Sequence, residues 1–306
     1  MTTLVFGHTS PDTDSTGSPI VWAWYLNEIK GVDAKPVLLG KPNTEAAFML
    51  KRWNLDTPDI IKDVEAGQPV VIVDTNNPAE LPPRINSADI RGIIDHHRLV
   101  GGLETRGPLE IRIEPLACTA TIMWKMIGKD MAQMPEGIKG AMLSCILSDT
   151  LEFRSPTTTQ EDKAIAHNLA EQLGIDISDY SAEMFAAKSD VSEFSDAELL
   201  RMDSKEFELP SAKFRVSVLE TTAPKVVLDR KDSLMKSMES VAAEDGVDQV
   251  LLFVVDILNE EATLLIPNDM VRTLAEKSFG VSPTGDTVVL PGVMSRKKQI
   301  IPNLKL

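Results

Sequence analysis

The sequence predicts an α/β protein of two domains: an N-terminal domain with a mainly parallel sheet flanked by helices, and a smaller C-terminal α/β domain with a mixed sheet. Three observations predict it. Short continuous apolar runs, such as PVVIV at 69–73, read as strands covered on both faces. Segments of helical length separate those runs in the first half of the chain. The stretch KSDVSEFSD at 188–196 is polar, acidic and Ser-rich, and the alternation restarts beyond it. The expected division is a domain over 1–188, a linker or hinge at 189–195, and a second domain over 196–306.

Residues 2–6 form the first expected strand, followed by a helix over 15–30 that carries Trp22, Trp24 and Leu26. A short strand at 36–39 and a helix at 45–53 come next. The runs at 69–73 and 90–94 complete the βαβ pattern of a parallel sheet, with 110–113 as an edge strand. Helical patterns then occupy 119–127, 135–147 and 159–173. Pro135 sits where a first helical turn tolerates proline, and Thr159 stands three residues before Asp162, in the manner of a capping box. In the second domain, 213–219 alternates as a half-buried strand, and 229–244 reads as an amphipathic helix capped by Asp229. Residues 249–257 and 262–266 read as neighbouring strands joined by the polar turn NEE. A helix over 268–279 ends at Gly280.

The chain has 306 residues, 43% of them hydrophobic, 25% charged, and a formal net charge of −15. That length buries a substantial core without disulfides or structural metals, so a metal site here would serve chemistry first. The negative field repels nucleic acid and anionic membranes, so neither is expected as a partner. It also repels phosphate, and an anionic ligand therefore needs a local cationic pocket or its own cations. Cys118 and Cys145 are the two cysteines, outside any metal-type spacing, and read as buried thiols in a reducing compartment. The start MTTLVFGH lacks a basic, then apolar, leader pattern, and no apolar run is long enough to span a bilayer; a cytoplasmic location is expected.

Three of the four histidines lie just past the ends of expected strands. GHTSPDTDS carries His8, Asp12 and Asp14 off the first strand. VDTNN places Asp74 at the end of another, and GIIDHH does the same for Asp95, His96 and His97. Asp149, in ILSDT, ends a helical pattern. Open α/β sheets gather ligand sites at the carboxyl ends of their strands, so these loops converge. Taken singly, Asp12 and Asp14 also suit a turn or helix cap, and Asp74 an Asx-turn. Together they pose an electrostatic problem, because two carboxylates about 4 Å apart repel by roughly 4 kcal/mol at an effective dielectric of 20. Divalent cations relieve such crowding, and mixed imidazole and carboxylate ligands suit manganese, cobalt, zinc or iron. Six side chains suit two ions sharing a carboxylate better than one ion with an open position. Asp95 fits a role orienting a neighbouring imidazole. Near the C-terminus, Ser295, Arg296, Lys297, Lys298 and Gln299 follow a Pro-Gly turn; such a basic run alone also suits a solvated face, but in so acidic a chain it is the candidate anion grip.

These motifs resemble those of the DHH phosphoesterase superfamily, and the terminal SRKKQ makes the chain similar to the manganese-dependent, family II inorganic pyrophosphatases. The resemblance implies hydrolysis of inorganic pyrophosphate to two orthophosphates by a metal-bridged hydroxide, in a site closed between the two domains. It implies two Mn2+ or Co2+ ions, with further Mg2+ or Mn2+ arriving with pyrophosphate. His8, Asp12 and Asp74 match the ligands of one ion, and Asp14, Asp74, His96 and Asp149 those of the other. His97 matches a group beside the leaving phosphate, and Lys205, Arg296 and Lys297 match the substrate grip. A homodimer through the N-terminal domain is also implied. Exopolyphosphatase and phosphodiesterase chemistry are the rival expectations. Oligonucleotide-cleaving relatives carry a glycine-rich C-terminal motif ending in histidine, and this chain has no histidine after His167. A metal-binding protein without activity is disfavoured because every expected position is filled.

Overall fold

The structure, a computed structural model, describes residues 1–210 and 212–306. The chain divides into two compact units, Met1–Lys188 and Ser189–Leu306. The first unit contains β1 (Thr3–Phe6), α1 (Thr13–Trp24), β2 (Ala34–Leu38), α2 (Thr44–Arg52), β3 (Asp59–Ile60) and β4 (Pro69–Val73). It continues through β5 (Asp89–Asp95), β6 (Glu110–Ile113), α3 (Thr119–Ile127), α4 (Glu136–Thr150), α5 (Gln160–Leu173) and α6 (Ile177–Lys188). The strands form one sheet in the order β3-β2-β1-β4-β5-β6, with every pair parallel. The chain thus builds outward from β1 on one side, returns, and builds outward from β4 on the other. That reversal leaves a crevice beyond the carboxyl ends of β1 and β4, the place where such sheets bind ligands.

The apolar run of β4 is explained by two covered faces. Val71 and Val73 join the core shared with α1, α3, α4 and α5, while Val70 and Ile72 pack in a second core with Phe6, Val64, Leu81 and Ile85. Helices α1 and α4 are buried almost all round. Their close approach requires Gly17, where a Cβ would lie 2.4 Å from Cys145 Sγ. Helix α1 starts two residues before its sequence boundary, capped by Asp12, and its α-helical part stops at Trp24 before a π-turn over Tyr25–Ile29. The capping box of α5 forms as expected from Thr159 and Asp162.

The second unit contains α7 (Asp196–Met202), β7 (Ser204–Leu209), β8 (Ala212–Thr221), α8 (Pro224–Leu228), α9 (Lys231–Asp245), β9 (Gln249–Asp256), β10 (Glu261–Leu265), α10 (Asp269–Phe279) and β11 (Thr287–Pro291). Its sheet order is β11-β10-β9-β8-β7; β8 and β9 are parallel and the other pairs antiparallel, so the sheet is mixed. One face carries Phe214, Val216 and Phe253, the other Val250, Leu252 and Val254. The expected cap of α9 is corrected. The helix starts at Lys231, Arg230 takes the cap position without a side-chain bond, and Asp229 pairs instead with Lys225 at 2.6 Å. That i,i+4 partner across α8 captures the carboxylate that would otherwise reach the helix amides.

Candidate metal centre

The loop after β1 supplies His8, the N-cap of α1 supplies Asp12, and its first turn supplies Asp14. Asp74 follows β4, His96 and His97 follow β5, and Asp149 lies in the last turn of α4. The structure brings all of these together. Ligand atoms of His8, Asp12 and Asp74 lie within 4.8 Å of one another, as do those of Asp14, His96 and Asp149, and those of Asp74, His96 and His97. Asp74 is central: its carboxylate is 3.5 Å from His8 Nε2 and 3.3 Å from His96 Nε2. His8 Nε2 is also 3.6 Å from Asp12, and His96 Nε2 is 3.8 Å from Asp149.

Backbone conformation at the centre is unusual where ligands are presented. Asp74 has a φ of 57°, a left-handed geometry that short polar side chains tolerate, and its N–H donates to Ile94 O at 2.9 Å. The helix bearing Asp149 ends in Leu151, Glu152 and Phe153, with φ values of 48°, 52° and 69°. Three successive non-glycine residues in that region cost of order 1–3 kcal/mol each, strain characteristic of functional sites.

Each imidazole is oriented. His96 Nδ1 is 3.3 Å from Leu116 O, a carbonyl held in place because the next N–H, of Ala117, donates to the buried Asp162. A donating Nδ1 leaves His96 Nε2 free as a ligand atom. His97 Nδ1 is 2.9 Å from Asp95, which also accepts from the His97 N–H and from Asn76. Asp95 therefore occupies the orienting position the sequence suggested. Asp14 accepts from Ser18 Oγ and from the Thr119 N–H, and Thr119 Oγ1 donates to Asp74 at 3.3 Å. Thr119 and Asn76 were invisible as site residues in the sequence, since one starts a helix and the other sits in an ordinary polar turn. His167 lies exposed on α5 beside the Phe153 ring, outside the cluster.

The donor set fits divalent cations. Asp149 Oδ2 is buried without a hydrogen-bond partner, an orphan acceptor of the kind an ion satisfies. Burial, and then the neighbouring Asp14 and Asp12, hold the carboxyls of Asp74 and Asp149 well above the usual carboxylate range. Burial also opposes ionisation of Asp12, yet bonds from His8 and the Ser15 N–H, with the charges of His8 and Lys188, bring it below its usual value. Burial likewise works against the charged form of His8, but Asp12, together with the charges of Glu80 and Asp14, outweighs it and raises the imidazole. Burial lowers His96, whereas the hydrogen bond to Asp95 raises His97.

A pH dependence follows for the metal-free protein. A carboxyl raised in the folded state contributes stability that is complete below its unfolded pKa and is lost as pH climbs through the folded value. Asp74 and Asp149 therefore weaken the fold as pH rises from the ordinary carboxylate range, and the raised His8 and His97 add the same sign above pH 6.5. The lowered His96 opposes this, gaining stability up to pH 6.5. The melting temperature in EDTA is expected to fall from weakly acid to alkaline pH, and stabilisation by manganese to grow over the same range. A flat or rising metal-free profile would contradict the crowding.

In the second unit, Lys205 is exposed on β7 opposite Val216. Arg296 donates through Nη1 to Asp203 O, and its Nη2 lies 2.7 Å from Asp203 Oδ1. Lys297 is exposed in the π-turn Arg296–Ile300. Gln299 shapes this basic turn: its Oε1 accepts from the N–H groups of Met294 and Ser295, and its Nε2 donates to Gly292 O. The structure thus ties the Arg296 turn to the segment leading into Lys205.

Comparison with known proteins agrees with these features. Residues 182–306 match the DHHA2 domain and residues 2–148 the DHH family, N-terminal domain. A probable manganese-dependent inorganic pyrophosphatase of Lactobacillus acidophilus is 37% identical over 303 residues, covering 98% of this chain and 97% of that protein. One of the same description from Deinococcus radiodurans is 39% identical over 307 residues, with the same coverage. The crystal structure of a putative family II inorganic pyrophosphatase from Methanococcus jannaschii superposes with a TM-score of 0.61 at 32% identity, over 98% of this chain and 97% of that one. Among the described residues, no helix is long and apolar enough to cross a membrane.

Proposed function

The chain belongs to the manganese-dependent, family II inorganic pyrophosphatases, and on that premise we propose that it hydrolyses pyrophosphate to two orthophosphates at the cluster around Asp74. The observation that carries this reading is the meeting of His8, Asp74 and His96, from three strand ends, at one crevice. In this reading His8, Asp12 and Asp74 hold one manganese or cobalt ion, and Asp14, Asp74, His96 and Asp149 hold another. Such ions supply Lewis acidity toward phosphoryl oxygens and activate water as the nucleophile.

The protein's own groups do the rest. Because His97 Nδ1 is directed at Asp95, the proton it can pass on sits on Nε2, and Asp95 keeps the ring protonated to higher pH. His97 also lines a cavity of about 600 Å³ together with His8, Asn77 and Arg98, room for a departing phosphate. Lys205, Arg296 and Lys297 neutralise charge on the substrate, which arrives with magnesium or manganese, and closure of the units on it excludes water. The buried thiols Cys118 and Cys145 accord with action in the cytoplasm. The edge strand β6, whose outer side pairs with no strand among the described residues and whose Ile111 is 50% exposed, supports a homodimer through the first unit.

The test is release of phosphate by EDTA-stripped protein before and after manganese loading, from pyrophosphate, tripolyphosphate and a short oligonucleotide in parallel. Pyrophosphate is expected to be hydrolysed fastest, and only after loading. Faster turnover of either other substrate, or none on pyrophosphate with manganese present, would refute the proposal.

A further inference from the structure

We propose that Glu45 is a positioning residue of the metal centre, a buried brace that holds the chain segments bearing Asp12, Asp14 and Asp149 in register for ion binding. This rests on the metal reading above and goes beyond it to a residue outside the ligand set. Glu45 stands in the first turn of α2, where an acidic residue ordinarily complements the helix dipole from the surface. Here it is 0% exposed, so surface complementarity is not its role.

What it touches defines the role instead. A single oxygen, Oε2, accepts from Thr13 Oγ1 at 2.9 Å and from Ser148 Oγ at 2.7 Å. Thr13 lies between Asp12 and Asp14, and Ser148 immediately precedes Asp149. One carboxylate oxygen therefore ties together the start of α1 and the end of α4, two segments whose acidic side chains repel each other when no cation is bound. Cys145 adds a parallel tie, its thiol donating to Thr13 O at 3.3 Å.

The charge of the brace is balanced locally. Lys188 Nζ lies 3.3 Å from the same Oε2, and Lys188 also helps keep Asp12 ionised. Oε1 of Glu45 is buried without a partner. A buried carboxylate with one orphan oxygen is costly to keep. Its retention here is accounted for by the geometry at Oε2, where one atom serves two hydroxyls and an ammonium. Lys188 closes α6, the last residue of the first unit, so the brace also fixes the point at which the chain leaves that unit.

The test measures manganese affinity of EDTA-stripped full-length protein by calorimetry, beside its circular dichroism and melting temperature in EDTA. Glu45→Ala is expected to remain folded and to bind manganese about 10–100-fold more weakly, the range for residues that orient ligands without touching the ion. Turnover on pyrophosphate should recover at excess manganese. Glu45→Gln, which keeps an acceptor oxygen for Thr13 and Ser148, should restore most of the affinity. A folded Glu45→Ala protein with unchanged affinity overturns the inference, as does equal loss in the alanine and glutamine variants. Should the alanine variant not fold, Thr13→Val combined with Ser148→Ala removes the same two bonds and must weaken manganese binding; unchanged affinity there also overturns it. If the unaltered protein binds no manganese, it is the metal reading that fails; if it binds and the variants match it, only the brace does.

Discussion

Asp74→Asn is expected to lower turnover on pyrophosphate by about 10³ at saturating manganese while raising the melting temperature of the metal-free protein. The side chain is 2% exposed and contacts both His8 and His96. Asparagine keeps its size, can still accept from Thr119 Oγ1, and tolerates the left-handed backbone at this position. The substitution therefore removes charge and little else. One unit charge about 4 Å from another is worth about 4 kcal/mol at an effective dielectric of 20, and about 4 kcal/mol corresponds to about 10³ in rate. The same charge is a liability without a cation, because burial and then Asp14, Asp12 and Asp149 oppose it. Opposite signs for activity and metal-free stability are the signature of a carboxylate held for an ion. Phosphate-release kinetics and melting in EDTA measure both; near-normal turnover, or a lower melting temperature without metal, would remove Asp74 from the centre of the site.

The strand ends that form the cluster were legible because sequence order and chemistry coincide there. An apolar run followed at once by Asp74, or by Asp95, His96 and His97, states both a strand and what it delivers. Which of the parallel strands are neighbours was not legible, although the adjacency of β9 and β10 was, from the short polar turn between them. Parallel strands of similar apolarity are interchangeable in a one-dimensional pattern, and the adjacency of β1 and β4 is a property of packing. The second unit was read less completely for a related reason. β7 alternates Lys205, Phe207 and Leu209 with Glu206 and Glu208, and at the edge of a sheet so polar a segment carries little apolar signal. β11 is an edge strand of five residues and α7 a helix of seven, each too short for its period to declare itself, and the apolar residues of α6 follow no clear stripe. Asp229 failed as a cap because a lysine four residues earlier competes for it. Glu45 could not be found from sequence at all: a first-turn glutamate looks the same whether its face meets water or, as here, Thr13 and Ser148.

The second large effect is expected at Arg296, and the identity of the replacement matters as much as its removal. Removing one partner of a charge-assisted contact costs about 2–5 kcal/mol, so Arg296→Ala should reduce kcat/KM for pyrophosphate by about 30-fold to several thousand-fold. Arg296 is 17% exposed and already spends both terminal nitrogens on Asp203, one on its carbonyl and one on its carboxylate. A guanidinium has five N–H donors in a rigid fork, so it can keep that anchor and still present donors to a phosphate. A lysine at this position can anchor or grip, and it cannot do both with fixed geometry. Arg296→Lys should therefore lose most of what alanine loses, although it conserves charge. Asp203→Asn should cost less, since the carbonyl of residue 203 remains and a half-exposed ion pair contributes little by itself. Steady-state kinetics on the three variants decide the matter. If lysine restores the full kcat/KM, position 296 supplies only a point charge; if alanine leaves it unchanged, the basic turn is not part of the grip.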